Sequence, residues 1–211
     1  MTIEMLKLGF FVGQKKVRTV MQAMGLEAIY PKPNLSASNR EHKKYPYLLG
    51  NEKICRPNQV WAGDITYVPV RNGFGYLFAI IDWHSRYVVD WQLSNMLDTD
   101  FCLQTLERAL LKERPEIFNT DQGVQFTSNR FTARLEAVGV RISMDGKGRA
   151  FDNIMIERLW RSVKYENIYP NGYEHLPEVK RGLGIYFPFY NESRLHQGLH
   201  YRTPAEVYHE R

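Results

Sequence analysis

Hydrophobic and polar residues alternate along three consecutive stretches between residues 59 and 93, and this pattern predicts three antiparallel strands. The first stretch runs from Val60 to Val70. The turn sequence Arg71-Asn72-Gly73 separates it from the second stretch, Tyr76 to Trp83, and the third follows from Arg86 to Leu93. Three successive strands joined in this way predict a β-meander.

After residue 97 the spacing of apolar residues changes to that of helices alternating with short strands. Asp98 or Thr99 can cap the first of these helices, whose apolar residues recur at three- and four-residue steps. The predicted elements are, in order, a helix with Leu103, Leu106 and Leu110, a strand from Glu116 to Thr120, a helix with Phe131, Leu135 and Val138, a strand from Val140 to Ser143, a helix containing Glu157, a loop from Pro170 to Gly172, a helix from Glu178 to Tyr190, and a short final helix capped by Thr203.

The front of the chain has a different character. A periodic pattern from Val17 to Leu26 predicts one short amphipathic helix that ends near Gly25. Residues 31–58 are rich in proline, asparagine, serine and charge, which predicts a linker. Residues 1–60 carry 10 Lys and Arg against 4 Asp and Glu, whereas residues 61–211 carry 18 against 19. The basic front end suits either a polyanion partner or a solvated leader, and charge alone leaves both open.

The length of 211 residues allows one good-sized core, and no apolar run reaches the roughly 18 residues of a membrane span. We therefore expect a cytoplasmic protein without a membrane partner. Cys55 and Cys102 lie far apart and outside any CxxC pair, so we expect two reduced, packed cysteines.

Three acidic residues occupy positions where a carboxylate needs an explanation. Asp64 lies in the middle of an apolar strand, Asp121 ends another strand, and Glu157 lies in a helix. Acids from three separate elements are the anchors that a pair of hard divalent cations requires. Each acid also has an ordinary interpretation: Asp64 could face water from an edge strand, Asp121 could bond its own turn, and Glu157 could pair with Arg161 on the helix surface.

The spacing of these acids and the motifs around them carry a family resemblance. Thirty-five residues separate Asp121 from Glu157, and Lys164 follows seven residues later. From residue 55 to 211 the chain resembles the DDE transposase and retroviral integrase superfamily, and most closely the OrfB-type transposases of bacterial insertion sequences. The motifs that carry the resemblance are Trp61-Ala-Gly-Asp64-Ile-Thr-Tyr, Asp82-Trp-His-Ser-Arg86, Asn119-Thr-Asp121-Gln-Gly, Asp152-Asn153 with Glu157, Arg158-Leu-Trp-Arg-Ser-Val-Lys164, and Tyr190-Asn191 through His196-Gln197 to Thr203-Pro204.

The resemblance implies an α/β protein with an RNase H-like mixed five-stranded sheet flanked by helices, preceded by a short helical and linker segment. It implies that Asp64, Asp121 and Glu157 hold two Mg²⁺ or Mn²⁺ ions for DNA end cleavage and strand transfer. Lys164 matches the basic residue that the family places two helical turns after the glutamate to reach a DNA phosphate. Arg161 is a second candidate for DNA binding, and Lys147 and Arg149 in the preceding loop are weaker ones.

The resemblance also implies a domain plan and partners. We expect a remnant of a helix-turn-helix DNA-binding segment in residues 1–30, a basic linker in 31–54, the integrase catalytic core in 55–166 and a helical extension of the core in 167–211. The expected partners are the DNA of the element ends and of the target, further copies of the same chain, and an upstream DNA-binding protein. The expected location is the bacterial cytoplasm, associated with the nucleoid.

Two alternatives to a competent transposase stay open at this point. Only the last helix of the family's helix-turn-helix segment is recognisable at the front, which favours a truncated DNA-binding fragment or an inhibitor of transposition. A nuclease that cuts without joining is the third possibility. His196 and His200 have the spacing of a zinc pair, but without accompanying cysteines a structural or DNA-contacting role is the better interpretation.

Overall fold

The structure is a computed structural model that describes residues 2–24, 43–50, 52–71, 73–145 and 154–210. It divides the chain into two compact units, one within residues 1–34 and one from residue 35 to the end. In the first unit, helix α1 (Thr2–Lys7) was not predicted, whereas α2 (Gln14–Ala23) is the predicted amphipathic helix. Its predicted end at Gly25 and the first part of the predicted linker, up to residue 42, lie outside the described residues.

The second unit is built on one five-stranded sheet with the strand order β3-β2-β1-β4-β5. Its strands are β1 (Val60–Val70), β2 (Gly73–Asp82), β3 (Val88–Ser94), β4 (Ile117–Thr120) and β5 (Arg141–Met144). The first three pair antiparallel, which confirms the predicted meander. Strand β4 pairs parallel with β1, and β5 pairs parallel with β4, so the sheet is mixed as predicted.

The helices of this unit mostly follow the predicted positions. They are α3 (Thr99–Lys112), α4 (Val124–Thr127), α5 (Asn129–Glu136), α6 (Ile154–Val163), α7 (Tyr169–Asn171), α8 (Leu176–Glu192) and α9 (Pro204–Tyr208). Asp98 caps α3 by accepting a hydrogen bond from the amide of Phe101, and Thr203 caps α9 in a capping box. The predicted loop at Pro170 is wrong, because a π-helical turn (Lys164–Ile168) continues α6 directly into α7.

The sheet separates two hydrophobic layers because successive side chains of a strand point to opposite faces. Trp61, Phe78 and Ile80 pack with α3 and α5 on one face. Ala62, Ala79 and their same-face neighbours pack with α6 and α8 on the other. Asp64 has the parity of Ala62, so it belongs to the face covered by α6.

Part of the predicted linker packs against this unit. Leu49 is buried with Val60 and Ile117, and the amide of Leu48 donates a hydrogen bond to Ser143 Oγ at 3.0 Å. Cys102 is buried as expected, but Cys55 is exposed, so the expectation that it packs in the core is wrong. Within the described residues, none of the helices combines the length and the apolar character needed to cross a bilayer.

Candidate active site

The parallel pairing of β1 with β4 brings Asp64 and Asp121 to neighbouring positions. Gly63 pairs with Thr120 in this ladder, and each aspartate is the next residue along its strand direction. Asp121 directly follows the carboxyl end of β4, where the chain is free to turn toward α4. Asp64 and Asp121, which are far apart in the sequence, are therefore neighbours in the sheet because β1 and β4 are adjacent and run in the same direction.

A hydrogen bond ties helix α6 to this part of the sheet. The indole Nε1–H of Trp160 donates to Asp64 Oδ2 at 2.8 Å. Trp160 is buried on the apolar side of α6, together with Ile156, Leu159 and Val163. Glu157 lies three residues earlier on the same helix, so the contact that holds Trp160 on Asp64 also fixes the helix that carries Glu157.

The charges of the other two acids act on Asp64. Burial is the largest cause that raises the pKa of Asp64, and the charges of Asp121 and Glu157 also raise it; hydrogen bonds from Trp160 and from the amide of Ile65 lower it, and the resulting pKa is about 6. The repulsion shows that Asp64 lies within electrostatic range of both other carboxylates. An arrangement of like charges near a partly buried carboxyl is typical of functional sites.

Asp121 is held by the turn that follows it. Its Oδ1 accepts a hydrogen bond from the amide of Gly123 at 2.9 Å. Burial raises the pKa of Asp121, and this amide lowers it. A Cβ at Gly123 would lie only 2.9 Å from the same oxygen, so glycine is what leaves room for the carboxylate. Asp121 therefore bonds its own turn, as one of the two sequence interpretations expected. It also lies beside Asp64, which a turn residue need not do.

Glu157 is exposed near the start of the described part of α6. Within the part of the chain that the structure describes, it forms no ion pair with Arg161, so the alternative interpretation as a surface pair is wrong in this respect. Arg161 is exposed on the same helix, and Lys164 is half-buried at the first position of the π-helical turn. Lys147 and Arg149 lie outside the described residues.

Two further residues near the acids were not predicted as part of the site. Trp160 belongs to the family-like motif that follows Glu157, but nothing in a helical pattern distinguishes a tryptophan that donates a hydrogen bond from one that only packs. Asp145 follows β5 as Asp121 follows β4, and its Oδ1 accepts a hydrogen bond from Asn119 Nδ2 at 2.8 Å. The other amide atom, Asn119 Oδ1, is buried without a hydrogen-bond partner among the described residues.

The chemistry of this donor set suits a hard divalent cation, which prefers carboxylate oxygens. A cation would relieve the repulsion that raises the pKa of Asp64, and the hydrogen bonds to Asp64 and Asp121 occupy only part of the lone pairs of each carboxylate. The described residues contain no group of three His, Cys, Asp or Glu side chains close enough to bind one metal ion. His196 and His200 likewise form no such group with other described residues.

Comparisons with known proteins agree with the fold and the motifs. Residues 55–150 and residues 138–204 each match a family described as Integrase core domain. Over 205 residues the chain is 34% identical to the transposase for insertion sequence element IS904 of Lactococcus lactis subsp. lactis (strain IL1403), covering 94% of this chain and 81% of that protein. It is 29% identical over 215 residues to the transposase for IS629 of Shigella sonnei, covering 97% of this chain and 70% of that one.

Solved structures share the fold at low sequence identity. The HTLV-2 integrase catalytic core domain in complex with magnesium aligns with a TM-score of 0.60 at 17% identity, covering 75% of this chain and 100% of that one. A chain of the simian T-cell lymphotropic virus intasome in complex with PP2A regulatory subunit B56 gamma aligns with a TM-score of 0.67 at 18% identity, covering 95% of this chain and 72% of that one. These likenesses confirm the predicted RNase H-like sheet flanked by helices.

Proposed function

Because the chain belongs to the family of insertion-sequence transposases that have an integrase core domain, we propose that it cleaves DNA at the ends of its element and joins them to target DNA, with Asp64, Asp121 and Glu157 as the ligands of two Mg²⁺ or Mn²⁺ ions. The observation that carries the proposal is the parallel register of β1 and β4, which sets Asp64 beside Asp121, together with the hydrogen bond from Trp160 that ties the Glu157 helix to Asp64. Further support comes from a relative in fold that was solved with magnesium.

In each step an oxygen nucleophile attacks a phosphodiester in line with the leaving oxygen. A new P–O bond forms as the old one breaks, the nucleophile loses its proton, and the leaving oxygen gains one. Water is the nucleophile in cleavage, and a DNA 3′-hydroxyl is the nucleophile in joining. Divalent ions, when bound, lower the pKa of the attacking oxygen and stabilise the charge on the leaving one.

The residues of this chain supply positioning and charge. Asp64 and Asp121 offer carboxylates from adjacent parallel strands, and Trp160 orients the first of them. Because no described group of three acids is close enough for one ion, we propose that Glu157 moves toward the aspartates when metal and DNA bind. Arg161 and Lys164 on the exposed side of the same helical segment would contact DNA phosphates.

The partners follow from the reaction. Joining two ends of an element to one target requires more than one active site, so we propose that the chain acts as a homo-multimer on end and target DNA. An upstream DNA-binding protein, if used, would contact the same DNA ends. The multimeric integrase assemblies named among the structural relatives support the multimer.

The test uses the purified chain, Mn²⁺ and a labelled duplex made from the DNA on either side of its own coding sequence. Glu157→Gln should lose nicked and joined products by about a hundredfold or more, since even residues that only orient metal ligands cost 10- to 100-fold. Glu107→Gln, a matched change on the exposed side of α3 across the sheet, should act like the wild type.

Equal product formation by the wild type and Glu157→Gln would remove the catalytic role of this acid. Metal-dependent nicking without any joined product would favour the nuclease instead. Binding of DNA with neither product would favour the DNA-binding fragment or inhibitor.

A further inference from the structure

A cavity of about 500 Å³ lies beside α6, and the three metal-ligand candidates do not line it. Met155, Arg158 and Ser162 line it from α6, at the three- and four-residue steps that define one helix face. Arg86 and Arg194 line it from two other segments. We call the site formed by Arg86, Arg158 and Arg194 the arginine pocket.

The turn that carries Arg86 is held rigidly. Buried Asp82 accepts hydrogen bonds from the amide and the hydroxyl of Ser85 at 2.8 and 2.6 Å and from the amide of Asn58 at 2.8 Å. The amide of Arg86 donates to Asp82 O at 2.8 Å, and Arg86 adopts a left-handed φ of 62°. This conformation is uncommon for a residue with a side chain. The Asp82-to-Arg86 motif therefore acts as a support that aims one arginine.

The guanidinium of Arg86 packs directly against Gly198. A Cβ at this position would lie 2.3 Å from one terminal nitrogen of Arg86 and 3.0 Å from its Cζ. The segment around Gly198 is closed on itself by a bridge between His196 and Arg202. The Asp82-to-Arg86 motif and the segment from His196 to Arg202, which are distant in the sequence, therefore contact each other at Gly198.

Arg194 is oriented by a different set of partners. Its Nε and one terminal nitrogen donate to the two carboxylate oxygens of Glu166 at 2.8 and 2.6 Å, and Tyr186 donates to the same carboxylate at 2.7 Å. Its other terminal nitrogen lies 3.2 Å from His196 Nε2, which must accept because a guanidinium only donates. Burial, followed by the charges of Arg194 and Arg86, lowers the pKa of His196 to about 4. The histidine is therefore neutral at pH 7.

Among the described residues, the positive charge of the arginine pocket is only partly balanced. Glu166 pairs with Arg194, but within the described part of the chain neither Arg86 nor Arg158 forms a salt bridge or a side-chain hydrogen bond. Burial lowers the pKa of Arg86, Tyr190 raises it, and the charges of Arg158 and Arg194 lower it. Three guanidinium groups that repel one another around a cavity are a site that an anion would stabilise.

We propose that the arginine pocket binds a phosphodiester of the DNA backbone next to the reacting strand. Arginine forks match phosphate oxygens in pairs, and the cavity has room for a phosphate with its adjoining sugars. Arg158 is the immediate neighbour of Glu157 and lies about 100° around the helix from it. A strand that enters the active site on one side of α6 would thus be held on the other. The inference rests on the proposed function for its choice of anion, since DNA is the substrate there.

The test measures binding of a labelled 30-base-pair duplex of arbitrary sequence in EDTA, so that no chemistry is needed. Arg86→Gln should weaken binding about tenfold at moderate salt and reduce the slope of log K against log salt by about 1. Gly198→Ala keeps every charge but displaces the guanidinium of Arg86, and it should weaken binding about threefold or more. Arg181→Gln removes an exposed arginine of α8 that does not line the cavity, and it should stay within about twofold of the wild type.

If Arg86→Gln does not fold, Arg158→Gln replaces it, because Arg158 is exposed and has no described bonding partner to lose. Equal affinity and equal salt slopes for the arginine variants and Arg181→Gln would overturn the pocket, as would wild-type binding by Gly198→Ala. A duplex with an uncharged methylphosphonate backbone should bind all variants alike. Failure of these binding differences leaves the cleavage result for Glu157→Gln untouched, so the two proposals fail separately.

Discussion

Replacing Asp64 by asparagine should make the unfolding free energy of the second unit depend less on pH. The pKa of Asp64 is about 6 in the folded protein against an ordinary value of 3.8, chiefly because of burial. Well below pH 3.8 the carboxyl is neutral in both states, so its full stabilising contribution is present. As pH rises through 6 the folded protein must ionise a partly buried group, and that stability is lost.

The size of the effect follows from the two pKa values. At pH 7 the ionised Asp64 costs about 3 kcal/mol, whereas at pH 4 it costs about 0.5 kcal/mol. Asparagine stays neutral. The unfolding free energy of Asp64→Asn minus that of the wild type should therefore increase by about 2 kcal/mol from pH 4 to pH 7. The amide accepts a weaker hydrogen bond from Trp160. The extra strength that this bond gains when Asp64 ionises is already contained in the folded pKa of about 6, and therefore in these figures.

The assay is urea unfolding in EDTA at several pH values, followed by tryptophan fluorescence. All four tryptophans lie after residue 60, so the signal reports only the second unit. Asp100→Asn, which changes an exposed acid paired with Arg130, is the matched control and should show only a small change with pH. The reasoning is refuted if the difference between Asp64→Asn and the wild type is constant from pH 4 to 7, or if it shrinks.

Two further changes test how the site is held. Trp160→Phe keeps an aromatic side chain, although a smaller one, and removes the donor to Asp64, so we expect a loss of about 1–3 kcal/mol in unfolding free energy at pH 7 and a 10- to 100-fold loss of Mn²⁺-dependent cleavage. Trp83→Phe is the control, and equal behaviour of the two variants would contradict the role of the bond. Gly123→Ala should push Asp121 Oδ1 aside and lower the affinity for Mn²⁺ in calorimetry by about tenfold or more. An unchanged affinity would show that the turn does not position this carboxylate.

Much of the fold was predictable because it depends on local patterns. The alternation from Val60 to Leu93 predicted the meander, and the caps at Asp98 and Thr203 predicted where two helices begin. The loop at Pro170 was mispredicted because proline is tolerated in the first turn of a helix, and the π-helical turn before it supplies that setting. A short helix such as α4 has too few residues to show a period.

The candidate site divides in the same way. The sequence by itself determined which acids are candidate metal ligands. It contains one carboxylate within an apolar strand and two acids at a family-like spacing, and both features can be seen without a structure. Only the tertiary structure decided that Trp160 bonds Asp64 and that Arg86 meets Gly198. Those contacts join residues of different elements or depend on the exact path of a turn. Their partners are chosen by how the sheet and helices pack, and no periodicity along the chain records that choice.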